Sequence, residues 1–312
     1  MPQRAATMSN RRRYRALLAT ALLALGMSAA HAEDALKLSH QGVERTAVLY
    51  RPAAIAGPAP LVIALHGLGG NGQNFRNYAG IDAAADREGF IAVYPDAIEG
   101  AWSYGRPIVR PMPAINGETV DDVGFIRALI DDLVNRKLAD PARVYVTGIS
   151  RGGLMAFTLA CALADKIAAA APLITGMTDH QREDCRPARP VPLMVLAGTA
   201  DSTQSFAGAQ ADHGRLLSVP ETMDFWRTRY GCAGRDVRRL PHRDPADRTQ
   251  VTLLDWKGCA ARLRLYRIEG GGHQIPSIGG ADNPMLEQKF GPRNRDIDTA
   301  DEVWAFFNSI PR

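Results

Sequence analysis

The sequence predicts an α/β fold, a mostly parallel central sheet with helices on both faces. Three observations carry this. Continuous apolar runs at 61–65, 90–94 and 191–197 have the make-up of short strands covered on both sides. Helical stretches at 81–88, 121–136, 154–163 and 218–230 alternate with such strands, as crossover connections between parallel strands require. Polar or glycine-rich segments close several of the strands, at the edge where open α/β sheets bind ligands.

The 312-residue chain opens on a leader. Arg11, Arg12, Arg13 and Arg15 precede an apolar stretch over 16–27 and an Ala30-His31-Ala32 cleavage site. The apolar stretch falls short of the roughly 20 residues a spanning helix needs. The expectation is a signal peptide at 1–32, a single catalytic domain at 33–312, and secretion to the periplasm or the medium without a membrane span. The leader carries five arginines and no acid, so the mature chain has 32 basic against 33 acidic residues. No basic excess remains for nucleic acid or a membrane surface to bind.

In chain order, 36–43 and 46–50 alternate as edge strands of a hairpin, and 52–60 is a Pro/Ala/Gly loop. The strand at 61–65 ends in His66-Gly67-Leu68-Gly69-Gly70, a loop whose N–H groups can face a ligand. The helix at 81–88 is capped by Gly89, and the strand at 90–94 closes on Pro95-Asp96. Trp102 and Tyr104 follow it, either as cleft walls or as cover for the core. The helix at 121–136 buries Val123, Ile126, Ile130 and Leu133 on one face. Strands are expected at 144–146, 168–174 and 263–268. Ser218 and Glu221 make a capping box, and Thr299 with Glu302 caps the final helix. Residues 235–247 are polar and read as a solvated excursion.

Gly148-Ile149-Ser150-Arg151-Gly152 sits between a buried strand and an apolar helix. A sharp strand-to-helix turn exposes its middle residue, and the helix N-terminus directs free N–H groups and positive dipole toward it. Ser150, Asp201 and His273 then fall at the ends of successive expected strands, in the chain order of the α/β-hydrolase fold. Serine needs a base to become a nucleophile, histidine can act as one near neutrality, and a carboxylate orients the imidazole. Asp224 and Asp255 are alternative acids. The N–H groups of Arg151 and Leu68 are the expected oxyanion donors.

Four cysteines, Cys161, Cys185, Cys232 and Cys259, permit three disulfide pairings; the sequence-adjacent pairs would close two loops of similar size. A zinc site is the rival reading, but neither Cys-x-x-Cys nor His-x-x-x-His spacing is present, so no metal is expected.

Leu65-His66-Gly67, Tyr94-Pro95-Asp96, Val120-Asp121-Asp122-Val123, Gly148 to Gly153, Gly198-Thr199-Ala200-Asp201, Gly270 to His273 and Asp296-Ile297-Asp298 together resemble the polyhydroxybutyrate depolymerase family of esterases. That family includes feruloyl and acetylxylan esterases. The resemblance implies an α/β-hydrolase fold, ester hydrolysis, no cofactor, and a Cys232–Cys259 bridge; with no separate binding domain or Ser/Thr-rich linker in view, the expected ester is small or oligomeric. Two departures flank the cleft: Ser202 to Phe206 where the family commonly has Val-Pro-Tyr, and Gln274-Ile275-Pro276 where it has Thr-Trp-Pro. Ile275 thus joins Trp102 and Tyr104 as a candidate substrate contact. An acyltransferase or peptidase on the same three residues, or a non-catalytic polymer-binding relative, are the other readings.

Overall fold

The computed structural model describes residues 32–106, 113–115, 118–244, 246–279 and 283–311. Apart from Ala32, the expected leader lies outside the described residues. Strands β1 (Ala32–His40) and β2 (Val43–Arg51) form a hairpin. Gln41 and Gly42 turn it with φ of 50° and 76°, the left-handed pair that a two-residue turn demands. The chain therefore reverses after His40, and Val43 opens the second strand instead of closing the first.

Next come β3 (Ala59–Leu65), α1 (Gly72–Ala79), α2 (Ile81–Glu88) and β4 (Ile91–Pro95). Gly89 ends α2 in the left-handed conformation, as the sequence requires. The short strands β5 (Ala114–Ile115) and β6 (Glu118–Thr119) precede α3 (Asp122–Asn135). β7 (Ala139–Ile149) leads directly into α4 (Arg151–Ala162), followed by β8 (Ala169–Leu173), α5 (Asp179–Asp184) and β9 (Leu193–Gly198). A small hairpin, β10 (Ala209–Ala211) with β11 (Gly214–Leu216), precedes α6 (Val219–Arg229). The strands β12 (Gly234–Arg239), β13 (Gln250–Lys257) and β14 (Leu263–Glu269), then α7 (Pro284–Phe290) and α8 (Thr299–Asn308), complete the described chain.

Ten strands pair in the order β1-β2-β4-β3-β7-β8-β9-β14-β13-β12. From β4 to β14 neighbours run parallel, and both margins are antiparallel. Alternate side chains of each central strand enter opposite core layers, because a strand repeats every two residues. Leu61, Ile63, Val144, Val146 and Val195 pack under α3, α4 and α6, against Phe125, Met155 and Trp226. Val62, Tyr145 and Leu196 pack under α1, α2 and α8, against Phe75, Phe306 and Phe307. Each large side chain so buried contributes about 1.5–3 kcal/mol. This is the predicted class, with its ligand-binding edge at the C-terminal ends of β3, β7, β9 and β14.

Two expectations are corrected. The excursion at 235–247 contains β12, an edge strand whose residues are all exposed and which therefore carries no hydrophobic signal. The last helix is led by Asp298; the Thr299 hydroxyl donates to the Pro276 carbonyl at 2.8 Å instead of capping. The capping box of Ser218 and Glu221 forms as expected. The cysteines pair as Cys161–Cys185 and Cys232–Cys259. Among the described residues no helix is long and apolar enough to cross a membrane.

Candidate active site

Ser150 stands between β7 and α4 with φ 57° and ψ −119°, a conformation that non-glycine residues avoid and that the surroundings must enforce. The enforcement is visible. The Ser150 N–H donates to the Leu173 carbonyl of β8 at 2.9 Å, and its own carbonyl accepts from Leu154 N–H at 3.0 Å. Gly148 and Gly152 are needed for room: a Cβ on Gly152 would lie 2.3 Å from the Leu65 carbonyl oxygen, and one on Gly148 would lie 2.5 Å from that of Gly152. β3, β7 and α4 approach too closely for any larger residue.

His273 follows β14, and its loop is seated by backbone contacts. Its N–H donates to the Phe290 carbonyl at 2.5 Å, and the Gly272 N–H to that of Pro292 at 2.8 Å. His273 Nδ1 lies 2.7 Å from Asp201 Oδ2. The other carboxylate oxygen, Oδ1, accepts from the N–H groups of Thr203 at 2.8 Å and Gln204 at 2.7 Å. Both side chains are buried. A carboxylate fixed at both oxygens orients the ring, so that the neutral imidazole carries its proton on Nδ1 and its lone pair on Nε2. The alternative acids lie elsewhere: Asp224 is paired with Arg227 and Asp255 with Arg264.

Ser150 and His273 line one cavity of about 700 Å³, together with Leu68 and Arg151. Gly69 and Gly70 use their N–H groups on the carbonyls of Gly100 and Gly67. His66 is the keystone of that loop. Its Nδ1 lies 2.7 Å from the Gly67 carbonyl, its Nε2 accepts from Ala97 N–H at 3.1 Å, and its carbonyl accepts from Trp102 Nε1 at 2.9 Å. Burial pushes its pKa below the ordinary 6.5, so the ring stays neutral in the tautomer these bonds need.

Of the expected substrate contacts, Tyr104 lines the cavity, while Trp102 and Ile275 do not. Trp102 is fully buried because its indole N–H holds the His66 carbonyl and its ring packs on the His66 imidazole. Ile275 belongs to the core layer beneath α8, and its N–H donates to the Tyr78 hydroxyl at 3.3 Å. The Arg151 side chain is buried, with Nε donating to the Trp102 carbonyl at 3.2 Å and the guanidinium 5.2 Å from the centre of the Tyr104 ring.

The remaining wall escapes sequence reading. Tyr78 comes from α1, Leu154 from α4, and Leu286, Lys289 and Phe290 from α7. Asn283-Pro284 and Gly291 could have marked α7 as a helix, since Asn283 caps Met285 and Leu286 N–H groups and Gly291 ends it. Nothing local says which way such a helix faces. The two departures are at the wall: Thr203, Gln204 and Gln274 all line the cavity. Among the described residues, no cluster of His, Cys, Asp and Glu could hold a metal ion.

Solved structures define the class. The chain superposes over 88% of its length on 99% of an acetyl xylan esterase from Aspergillus awamori, with a TM-score of 0.59 at 15% identity. Over 90% of its length it matches 63% of a thermostable esterase, with a TM-score of 0.56 at 17% identity. The fold is that of the α/β-hydrolase esterases. At the sequence level the profile described as esterase PHB depolymerase matches residues 45–215. The chain belongs to the esterase PHB depolymerase family, and with it to the carboxylic ester hydrolases. NocK of Nocardia uniformis subsp. tsuyamanensis, named as an esterase, is 31% identical over 79% of this chain and 73% of its own. Feruloyl esterase B of Piromyces equi is 29% identical over 73% of this chain and 42% of its own. Poly(3-hydroxyalkanoate) depolymerase C of Paucimonas lemoignei is 31% identical over 40% and 30%. The chain thus spans less than half the length of the last two.

Proposed function

We propose that this protein is an exported serine esterase that cleaves small or oligomeric carboxylic esters through an acyl-enzyme on Ser150. The observation that carries the reading is the 2.7 Å contact of His273 Nδ1 with Asp201, beside the strained Ser150 on one cavity. His273 Nε2 removes the hydroxyl proton as Ser150 Oγ attacks the ester carbonyl. Asp201 stabilises the imidazolium that forms. The oxyanion is received by the N–H groups of Arg151, at the start of α4, and Leu68. Each such donor stabilises the transition state by about 3 kcal/mol. The imidazolium then protonates the departing alcohol, and water, activated by the same base, releases the acid.

The cavity volume suits a drug-sized ligand, and its wall is mainly apolar. The feruloyl, acetylxylan and hydroxyalkanoate esters named for the relatives are the candidate substrates. Two disulfides favour an oxidising compartment, in keeping with a leader at 1–32. Turnover of short p-nitrophenyl esters, with and without Ser150→Ala, tests the mechanism. We expect kcat to fall at least about 10⁴-fold and fluorophosphonate labelling to vanish. Activity retained in the variant would exclude Ser150 as nucleophile.

A further inference from the structure

The charges around the cavity are one-sided. Its wall contains no carboxylate among the described residues and two cations, Arg151 and Lys289. Arg151 is committed to the Trp102 carbonyl and the Tyr104 ring. Lys289 is different. It is exposed, its ammonium lies 5.0 Å from the centre of the Phe290 ring, and among the described residues no carboxylate pairs with it.

The backbone that carries it is nevertheless tied down. Leu286, Lys289 and Phe290 share one face of α7, at spacings of three and four, and all three line the cavity. The last turn of α7 is tied to the base: the Phe290 carbonyl accepts the His273 N–H, and the two rings lie 6.0 Å apart. A Cβ on Gly272 would lie 2.1 Å from that same carbonyl oxygen, so the helix end and the histidine loop are in close contact. Lys289 therefore stands at a set offset from the reacting centre, at the end of an apolar track.

We propose that Lys289 makes the enzyme selective for esters that carry a free carboxylate, that is, short linear oligomers of hydroxy acids, over neutral esters of the same shape. This rests on the esterase reading above. A hydroxy-acid oligomer has apolar repeat units that can lie on Leu286 and Phe290 and one anionic end that the ammonium can meet. Feruloyl esters and acetylated sugars have no such end. Gln204 adds a second polar group to the lining, its amide 3.0 Å from the Thr175 hydroxyl. An ion pair beside apolar groups is less screened than one in open water.

The test compares a hydroxybutyrate dimer bearing its terminal carboxylate with the same dimer capped as the neutral amide, by kcat/KM from the rate at which each dimer is consumed. The wild type should prefer the carboxylate form by about two- to fivefold, the scale of an exposed ion pair. Lys289→Gln should bring the ratio near one, Lys289→Glu should invert it, and Lys289→Arg should keep it. The preference should shrink in about 0.5 M salt. A wild-type ratio of one, or a ratio that the Gln and Glu variants leave unchanged, overturns the proposal while the esterase reading stands. No turnover of either dimer or of p-nitrophenyl esters overturns both.

Discussion

Ser150 owes its half-buried, strained position to what is missing from its neighbours. Gly152 has no side chain, and the space a methyl would need is held by the Leu65 and His66 carbonyl oxygens, 2.3 and 2.5 Å from the ideal Cβ. Those oxygens belong to β3 and to the start of the glycine-rich loop that follows it, so Gly152→Ala must push these apart from α4. Overpacking of this kind costs about 1–3 kcal/mol. We expect a matching fall in the urea midpoint and a larger relative loss of ester hydrolysis. Gly57→Ala is the control: nothing lies within 4 Å of its Cβ position, so stability should stay within about 0.5 kcal/mol. Equal loss in both variants would mean that close approach is not what Gly152 provides. These glycines were legible as a motif before any coordinates, because the turn dictates them. Trp102 was not: whether an aromatic after a strand covers the core or walls a cleft depends on its indole partner, the His66 carbonyl, 36 residues away.

At the scale of elements, strands buried on both faces were readable and marginal ones were not. β3, β4 and β9 are continuous apolar runs because helices cover both sides of the sheet there. β12 lies at the edge with every residue exposed, and its arginines read as loop. β13 is hard to read although most of its residues are buried, since a partly polar strand near the sheet margin lacks an unbroken apolar run. α5 is not legible either, at six residues too short for a helical period to show. It matters to the site through the bridge that follows it. Cys185 caps α5 and joins Cys161 in α4. Gln181 of α5 donates to the Leu154 carbonyl at 2.6 Å and to the Thr158 hydroxyl at 2.9 Å, and that hydroxyl donates to the Tyr104 carbonyl at 2.7 Å. Replacing both cysteines by alanine should lower stability by about 3 kcal/mol, the closure entropy of a loop of 24 residues. Because the chain of contacts ends at Tyr104, KM should rise more than kcat falls. A drop confined to kcat would show that the bridge serves Ser150 and not the cavity wall.

For the whole molecule, two histidines away from the chemistry give stability opposite dependences on pH. Burial holds the pKa of His66 below the ordinary 6.5. The unfolded chain takes up that proton near pH 6.5 while the folded one resists it, so stability falls as the pH drops below this value. His242 does the reverse. Its Nδ1 lies 3.1 Å from Asp296, and this hydrogen bond raises its pKa above 6.5. The folded chain keeps a proton that the unfolded chain has released, so its stabilisation is complete below pH 6.5 and is lost as the pH rises through the folded value. Burial pushes Asp296 upward, but the Arg243 N–H, His242 and Asn294 outweigh it and hold its pKa low. Its contribution persists above the ordinary 3.8 and is lost only in stronger acid. The two histidines together predict a stability maximum close to pH 6.5. Urea midpoints at pH 5, 6.5 and 8 would show it. His66→Asn, which also breaks the bonds to Gly67 and Ala97, should destabilise at every pH but flatten the limb between 5 and 6.5. His242→Ala should flatten the limb between 6.5 and 8 and, between 5 and 6.5, lower stability while keeping the wild-type slope. If His66→Asn keeps the wild-type acid slope, the proton is taken up elsewhere, and the buried imidazole that holds the glycine-rich loop after β3 is not what ties the fold to pH.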